Sequence, residues 1–123
     1  MPKLAEIHWE GDSRECLARF PEDIRGSLGF ALYELQLGRQ PSLQTRRMSS
    51  VGGGVYELKE YDQATWYRLI YLSKIDEVIH VLHCFEKQGR KTDRRDLQTA
   101  QERLSRVRRR LEERRINAKH KRK

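Results

Sequence analysis

A single arginine interrupts an otherwise apolar and aromatic run, TWYRLIYLS, between Thr65 and Ser73. Aromatic and β-branched residues favour a β-strand. A charge inside such a strand is unfavourable unless it faces a cleft or meets an opposite charge. Arg68 is therefore either a functional residue in a cleft or half of an ion pair with Glu57 or Glu60 on the neighbouring strand. The sequence does not favour one alternative over the other.

Basic residues and an aromatic residue follow where the last predicted strand ends. Phosphate is bound by charge and a base by stacking, so an exposed aromatic side chain beside a basic loop suits RNA. A charged loop that is merely solvated is the alternative. The RNA-binding candidates in this region and on the strands are Phe85, Arg90, Arg94, Arg95 and Tyr56.

Several other chemistries lack the residues that they need. The run Gly52-Gly53-Gly54 is not followed by Lys-Ser/Thr as in a P-loop, and it precedes a strand rather than a helix. His80 and His83 are three positions apart on a predicted strand, so we expect them on opposite faces, where they cannot easily share a metal. The pattern supports no Ser–His–Asp or Cys–His arrangement. We predict neither a metal nor a cofactor.

The basic charge is concentrated in the last third of the chain. Residues 87–123 hold 16 Lys/Arg and 5 Asp/Glu, whereas residues 1–86 hold 10 and 13, within a total net charge of +8. The basic excess points to a polyanion, which could be nucleic acid, an acidic partner protein or anionic lipid, and its asymmetry predicts a binding surface. With no signal peptide and no long apolar run, we expect a cytoplasmic protein whose Cys16 and Cys84 are free thiols in the core.

The elements that position these residues follow from periodicity. Residues 5–9 predict a short strand, 14–20 a short helix, and Pro21 opens a second helix that ends at Gly38. A connector over 39–54 leads to three strands joined by short turns, at 55–60, 65–73 and 77–85. We therefore predict an α+β fold, with two N-terminal helices packed on one face of a small antiparallel sheet that a C-terminal helix closes.

Thr92 or Asp93 is expected to cap the last helix. Its apolar stripe is narrow and its remaining surface is rich in arginine. The stripe consists of Leu97, Ala100, Leu104, Val107 and Leu111. We predict a single domain over 1–111 and a basic, disordered tail over 112–123.

Three segments together resemble a known family. They are Val55-Tyr56-Glu57-Leu58, Tyr67-Arg68-Leu69-Ile70-Tyr71 and Leu82-His83-Cys84-Phe85-Glu86-Lys87, followed by Lys91-Thr92 at the start of a helix. In this order and spacing they resemble the RelE/HigB toxin superfamily, in particular its phage-derived HigB-like branch, over residues 13–107. The family fold is the one predicted above.

The resemblance implies the toxin of a type II toxin–antitoxin pair, which cleaves mRNA on the ribosome without a metal. A cognate antitoxin, expected to be a helix-turn-helix protein, would silence it. Arg68 matches the strand arginine that stabilises charge, and Lys87 matches a basic residue at the end of the last strand. The partners implied are mRNA, the ribosome and the antitoxin, with no membrane.

Two departures leave the proton-transfer groups unassigned. Gln88 and Asp93 replace a Lys and a Pro of the phage-derived branch, and Glu57-Leu58-Lys59 stands where RelE itself often has Lys-x-Lys. Candidates for general acid and base are Glu57, Lys59 and Lys91. A basic protein that binds RNA or DNA without cutting it, as an inactive toxin relic would, is the alternative function, and a phage structural role is a third.

Overall fold

The computed structural model describes residues 3–87 and 92–121. Over these residues the elements are β1 (Glu6–Trp9), α1 (Ser13–Ala18), α2 (Glu22–Gln36), β2 (Gln44–Arg47), β3 (Val55–Asp62), β4 (Thr65–Ile75), β5 (Val78–Lys87) and α3 (Arg94–Lys121). The predicted α+β class is confirmed.

The strands form one mixed sheet, which is larger than the predicted three-stranded antiparallel one. Within the described residues the order is β1-β5-β4-β3-β2, and β1 pairs parallel to β5 while the other pairs are antiparallel. The structure thus adds β2 within the predicted connector. Its sequence, QTRR, has little apolar alternation because the strand lies at the sheet edge with mostly exposed side chains.

The helices lie on both faces of the sheet, so the expectation that they share one face is wrong. Leu69 and Tyr71 of β4 pack in a cluster with α1 and α2, whereas Ile70 and Leu72 pack in a second cluster with α3. Successive side chains of a strand point to opposite faces, and here both sets are apolar. We call the two sides the α2 face and the α3 face.

The turns and helix ends follow local chemistry. Asp76 and Glu77, with φ of 51° and 64°, form the tight turn between β4 and β5, in keeping with the mirror-image turns of two-residue hairpins. Gly38, with φ of 78°, ends α2 as predicted. Cys16 and Cys84 are free, and burial raises the pKa of both thiols.

Helix α3 continues to Lys121, through most of the segment that was expected to be disordered. Described side chains from 112 to 120 are all exposed. Arg, Lys, Glu and Ala are strong helix formers, so this stretch is helical without tertiary packing. The domain boundary at 111 stays a prediction. No helix in the described part of the chain is long and apolar enough to span a membrane.

Candidate functional site

Arg68 and Glu57 form a buried ion pair on the α3 face. Their side chains are 1% and 0% exposed, and Arg68 Nη1 lies 3.5 Å from Glu57 Oε2. Strand register explains the choice of partner: Glu57 lies opposite Ile70, on the face of Arg68, whereas Glu60 lies opposite Tyr67 on the other face. The structure therefore gives Arg68 an ion-pair partner. Two further cations contact Glu57, with Arg46 Nη2 at 3.4 Å and Lys59 Nζ at 3.9 Å from Oε1.

Thr92 connects this pair to the start of α3. Arg68 Nη1 donates a 2.8 Å hydrogen bond to Thr92 Oγ1, and Thr92 Oγ1 donates one of 3.4 Å to Glu57 Oε2. A buried carboxylate needs both charge and hydrogen bonds to offset its lost hydration. The three side chains therefore hold each other in place, and they fix the start of α3 against β3 and β4.

An open depression of about 400 Å³ lies beside the pair, and we call it the basic cleft. Its lining residues are Gln44, Arg46, Lys59, Trp66 and Arg68. They lie on β2, β3 and β4, whereas α3 packs chiefly on β5. The cleft is therefore the part of the α3 face that α3 leaves open.

An aromatic pair borders the basic cleft. The rings of Tyr61 and Trp66 are 4.6 Å apart, and Lys59 Nζ lies 5.9 Å from the centre of the Trp66 ring. Tyr61 is 48% exposed and Trp66 is partly exposed. The cleft thus combines cations with an accessible aromatic surface, which are the two features that bind the phosphates and bases of single-stranded nucleic acid.

The predicted catalytic residues fall into three groups. Glu57, Lys59 and Arg68 converge at the basic cleft. Lys87 lies opposite Trp66, whereas Arg68 lies opposite Phe85, two residues before Lys87 on β5. Lys87 Nζ is 3.6 Å from Asp93 Oδ2. Lys91 lies outside the described residues.

The predicted RNA-binding residues are more scattered. Phe85 is 8% exposed and stacks on His83 with ring centres 4.9 Å apart, so the expectation of an exposed aromatic there is wrong. It packs in the cluster under α3, because α3 lies chiefly on β5. Tyr56 lies on the α2 face against Tyr71, away from the cleft. Arg94 and Arg95 are exposed in the first turn of α3, and Arg90 lies outside the described residues.

A β-bulge in β5 reverses which face its side chains point to, so the expectation that His80 and His83 lie on opposite faces is wrong. Ile70 pairs with His83 and Tyr71 with Val81, so one extra residue is inserted. His83 contacts Asp96 of α3 at 2.8 Å, and His80 contacts Glu10 at 3.1 Å on the same face. They have separate partners. In the described ranges, no three His, Cys, Asp or Glu side chains are grouped as a metal site.

Sequence reasoning missed three residues of the site. Trp66 is two positions before Arg68 on a strand, and this parity could have placed it on the same face. Arg46 gave no signal because β2 was not predicted. Thr92 was considered only as a helix cap, and its contacts with Arg68 and Glu57 depend on tertiary packing.

The fold and the site define a small α+β protein with an arginine-centred basic cleft. Residues 15–105 match the family model described as phage derived protein Gp49-like (DUF891). Because this match covers most of the chain, the protein belongs to the Gp49-like family, which is associated with RelE/Gp49-type toxins. No curated protein matches the sequence.

Proposed function

We propose that the protein is the toxin of a type II toxin–antitoxin pair and cleaves mRNA on the ribosome. The observation that carries this proposal is the fixed position of Arg68 in the lining of the basic cleft, beside Lys59 and Trp66. Membership of a toxin-associated family supports it. The HigB-like branch and the cytoplasmic location are parts of the same proposal.

The reaction is a transesterification within the RNA. The 2′-oxygen bonds to the adjacent phosphorus and the bond from phosphorus to the 5′-oxygen breaks, which leaves a 2′,3′-cyclic phosphate and a 5′-hydroxyl. A base removes the 2′-hydroxyl proton and an acid gives a proton to the 5′-oxygen. No metal is required for this balance. The protein must align the attacking oxygen and stabilise charge on the phosphate oxygens.

Arg68 supplies the charge stabilisation in this mechanism. A guanidinium presents a planar set of donors that can bind two phosphate oxygens together. Glu57 acts as a positioning residue, because its oxygens contact Arg46, Lys59, Arg68 and Thr92 and its side chain has no exposed surface. Lys59 and Lys91 remain the proton-transfer candidates, and Lys87 adds positive charge at the edge of the cleft.

Trp66 and Tyr61 would receive the bases next to the cleaved bond. Stacking of a base on an aromatic ring contributes about 1 to 3 kcal/mol. Because every base has a π face, such a platform orders the strand without requiring one sequence. It would therefore help to hold the sugar and phosphate in line with Arg68.

The test is induced expression in a bacterium, followed by mapping of mRNA 5′ ends and by cleavage assays with purified ribosomes. We expect growth arrest, relief by a partner gene that encodes a helix-turn-helix protein, and fragments with 5′-hydroxyl ends within translated codons. Normal growth at high expression of folded protein would contradict the proposal.

One observation favours a second candidate, a toxin relic that binds RNA without cutting it. Asp93 lies 3.6 Å from Lys87 Nζ and partly neutralises this cation. Asp93 occupies the position at which the phage-derived branch has Pro. Under this alternative the protein binds RNA with normal salt dependence, yet ribosome-bound mRNA stays intact.

A further inference from the structure

Helix α3 extends well beyond the family-matched part of the chain. The match ends at residue 105, and the helix continues to Lys121. We call residues 106–121 the arm. At 1.5 Å per residue it is about 24 Å long. Leu111 is its last partly buried apolar side chain in the α3 cluster, and described side chains from 112 to 120 are exposed.

The arm is strongly basic and its charges are ordered along the helix. It carries eight Lys/Arg and two Glu. Arg106, Arg110 and Arg114 are spaced four residues apart, so they form one ridge with steps of about 6 Å. The position of this ridge is fixed by Arg110 Nη2, which lies 2.7 Å from Oε1 of Glu10, the residue after β1.

A shallow groove lies between the ridge and the N-terminal part of the chain. It has a volume of about 580 Å³, and Arg14, Arg110, Arg114, His8 and Trp9 are among its lining residues. The groove adds Arg14, a fourth arginine, and two partly exposed aromatic rings to the basic surface, and it is also lined by Glu10, which pairs with Arg110, and by Glu15. Arm and groove therefore form one continuous surface along the β1 edge.

This surface is separate from the basic cleft. In the strand order β1-β5-β4-β3-β2, the arm lies at the β1 edge and the cleft over β4, β3 and β2. With about 4.8 Å between neighbouring strands, their centres are about 15 Å apart. A phosphate bound at Arg68 cannot also be the one bound at the arm, so the arm would contact phosphates other than the one at Arg68.

The composition of the arm favours nucleic acid over a protein partner. The centre of a protein interface is usually apolar and aromatic, with few charges. Among the described side chains from 112 to 120, Ile116 is the one exposed large apolar residue. Phosphate contacts require charge and donors, which arginine provides.

We propose that the arm and its groove bind the phosphate backbone of folded RNA and so anchor the protein while the basic cleft holds a second strand. If the proposed function is correct, the folded RNA is ribosomal RNA. Only this choice of target rests on the proposed function. The arm thus supplies affinity, whereas Arg68 and its neighbours supply chemistry.

The test measures binding of the full chain to a duplex RNA of more than about 16 base pairs at several salt concentrations. The variant is R106Q/R114Q, which leaves the Arg110–Glu10 contact in place. We expect its log–log salt slope to fall by about 1.4 to 1.8, as for two lost phosphate contacts. R106K/R114K keeps the charge and should retain most of the slope.

A matched control removes the same charge elsewhere. Arg25 and Arg39 are exposed at the two ends of α2, so R25Q/R39Q lowers the net charge equally without touching the arm. An unchanged slope in R106Q/R114Q, or an equal loss in the control, would overturn the proposal. So would normal RNA binding combined with lost binding of the partner-gene product, since the surface would then be a protein interface.

Parallel cleavage assays separate this inference from the proposed function. If the arm variants lose duplex binding but the wild-type protein cuts no mRNA, the arm proposal stands and the nuclease proposal fails. If the wild-type protein cuts mRNA and the arm variants bind duplex RNA normally, the nuclease proposal stands and the arm proposal fails.

Discussion

Replacement of Arg68 tests both the scaffold and the chemistry, because this side chain is 1% exposed and also lines the basic cleft. In R68A, Glu57 remains fully buried without its nearest buried cation. Removal of one partner of a buried pair costs about 3 to 5 kcal/mol. Arg46 and Lys59 still lie 3.4 Å and 3.9 Å from Glu57, so we expect the lower end of that range.

The effect on catalysis should exceed the effect of the stability loss. Loss of a preorganised donor to the developing phosphate charge commonly reduces the rate about 10²- to 10³-fold. We therefore expect the cleavage rate per folded molecule of R68A to fall by this factor. R68K restores the charge but not the planar donors, so it should regain stability more than activity.

The assay combines urea unfolding with ribosome-dependent cleavage, normalised to the folded fraction. Leu69→Ala is the matched control, because Leu69 is the next residue on β4, is fully buried and faces the opposite side. A buried Leu→Ala change costs about 2 to 5 kcal/mol. Leu69→Ala should lower the free energy of unfolding about as much as R68A does, while its folded molecules cleave mRNA at the normal rate. An R68A protein that is destabilised like the control yet fully active when folded would refute the catalytic role.

Three further outcomes follow from the contacts. W66A should weaken binding of single-stranded RNA by about 1 to 3 kcal/mol, whereas W66F should retain most of the affinity, and equal losses would argue against stacking. D93N should release Lys87 and raise RNA affinity or cleavage; no gain in either would show that their 3.6 Å contact does not limit function. Burial lowers the pKa of His80 below 6.5 despite the neighbouring Glu10, so the unfolded chain takes up a proton first and stability should fall as the pH drops below 6.5. H80N, which keeps a donor for Glu10 and does not titrate, should flatten the pH dependence of urea unfolding, and an unchanged profile would assign it to other groups.

The local elements of this fold are encoded in short-range patterns. The apolar and aromatic runs of β3, β4 and β5 and the Pro21 and Gly38 boundaries of α2 predicted their elements to within a few residues. The apolar stripe predicted α3 and its start, but the helix continues to Lys121, past the predicted boundary at 111. These features depend on side-chain periodicity and on backbone preferences, which act over a few positions. The concentration of basic charge after residue 87 is likewise a property of the sequence.

The site depended on information that no local pattern contains. The sequence left Arg68 equally suited to a cleft or an ion pair, and the register of β3 against β4 gave it Glu57 as partner. The bulge in β5 placed His80 and His83 on one face, and packing under α3 buried Phe85.

The sequence alone therefore determined the α+β class, most elements and the identity of the central arginine. Tertiary structure decided the mixed five-stranded sheet over the described residues, the two helical layers, and the convergence of Arg46, Trp66 and Thr92 around Arg68. The physical reason is that strand pairing and helix docking bring distant parts of the chain to this arginine: Arg46 and Thr92 are 46 positions apart in the sequence. Burial and complementary charge, rather than local propensity, determine the energies of these contacts.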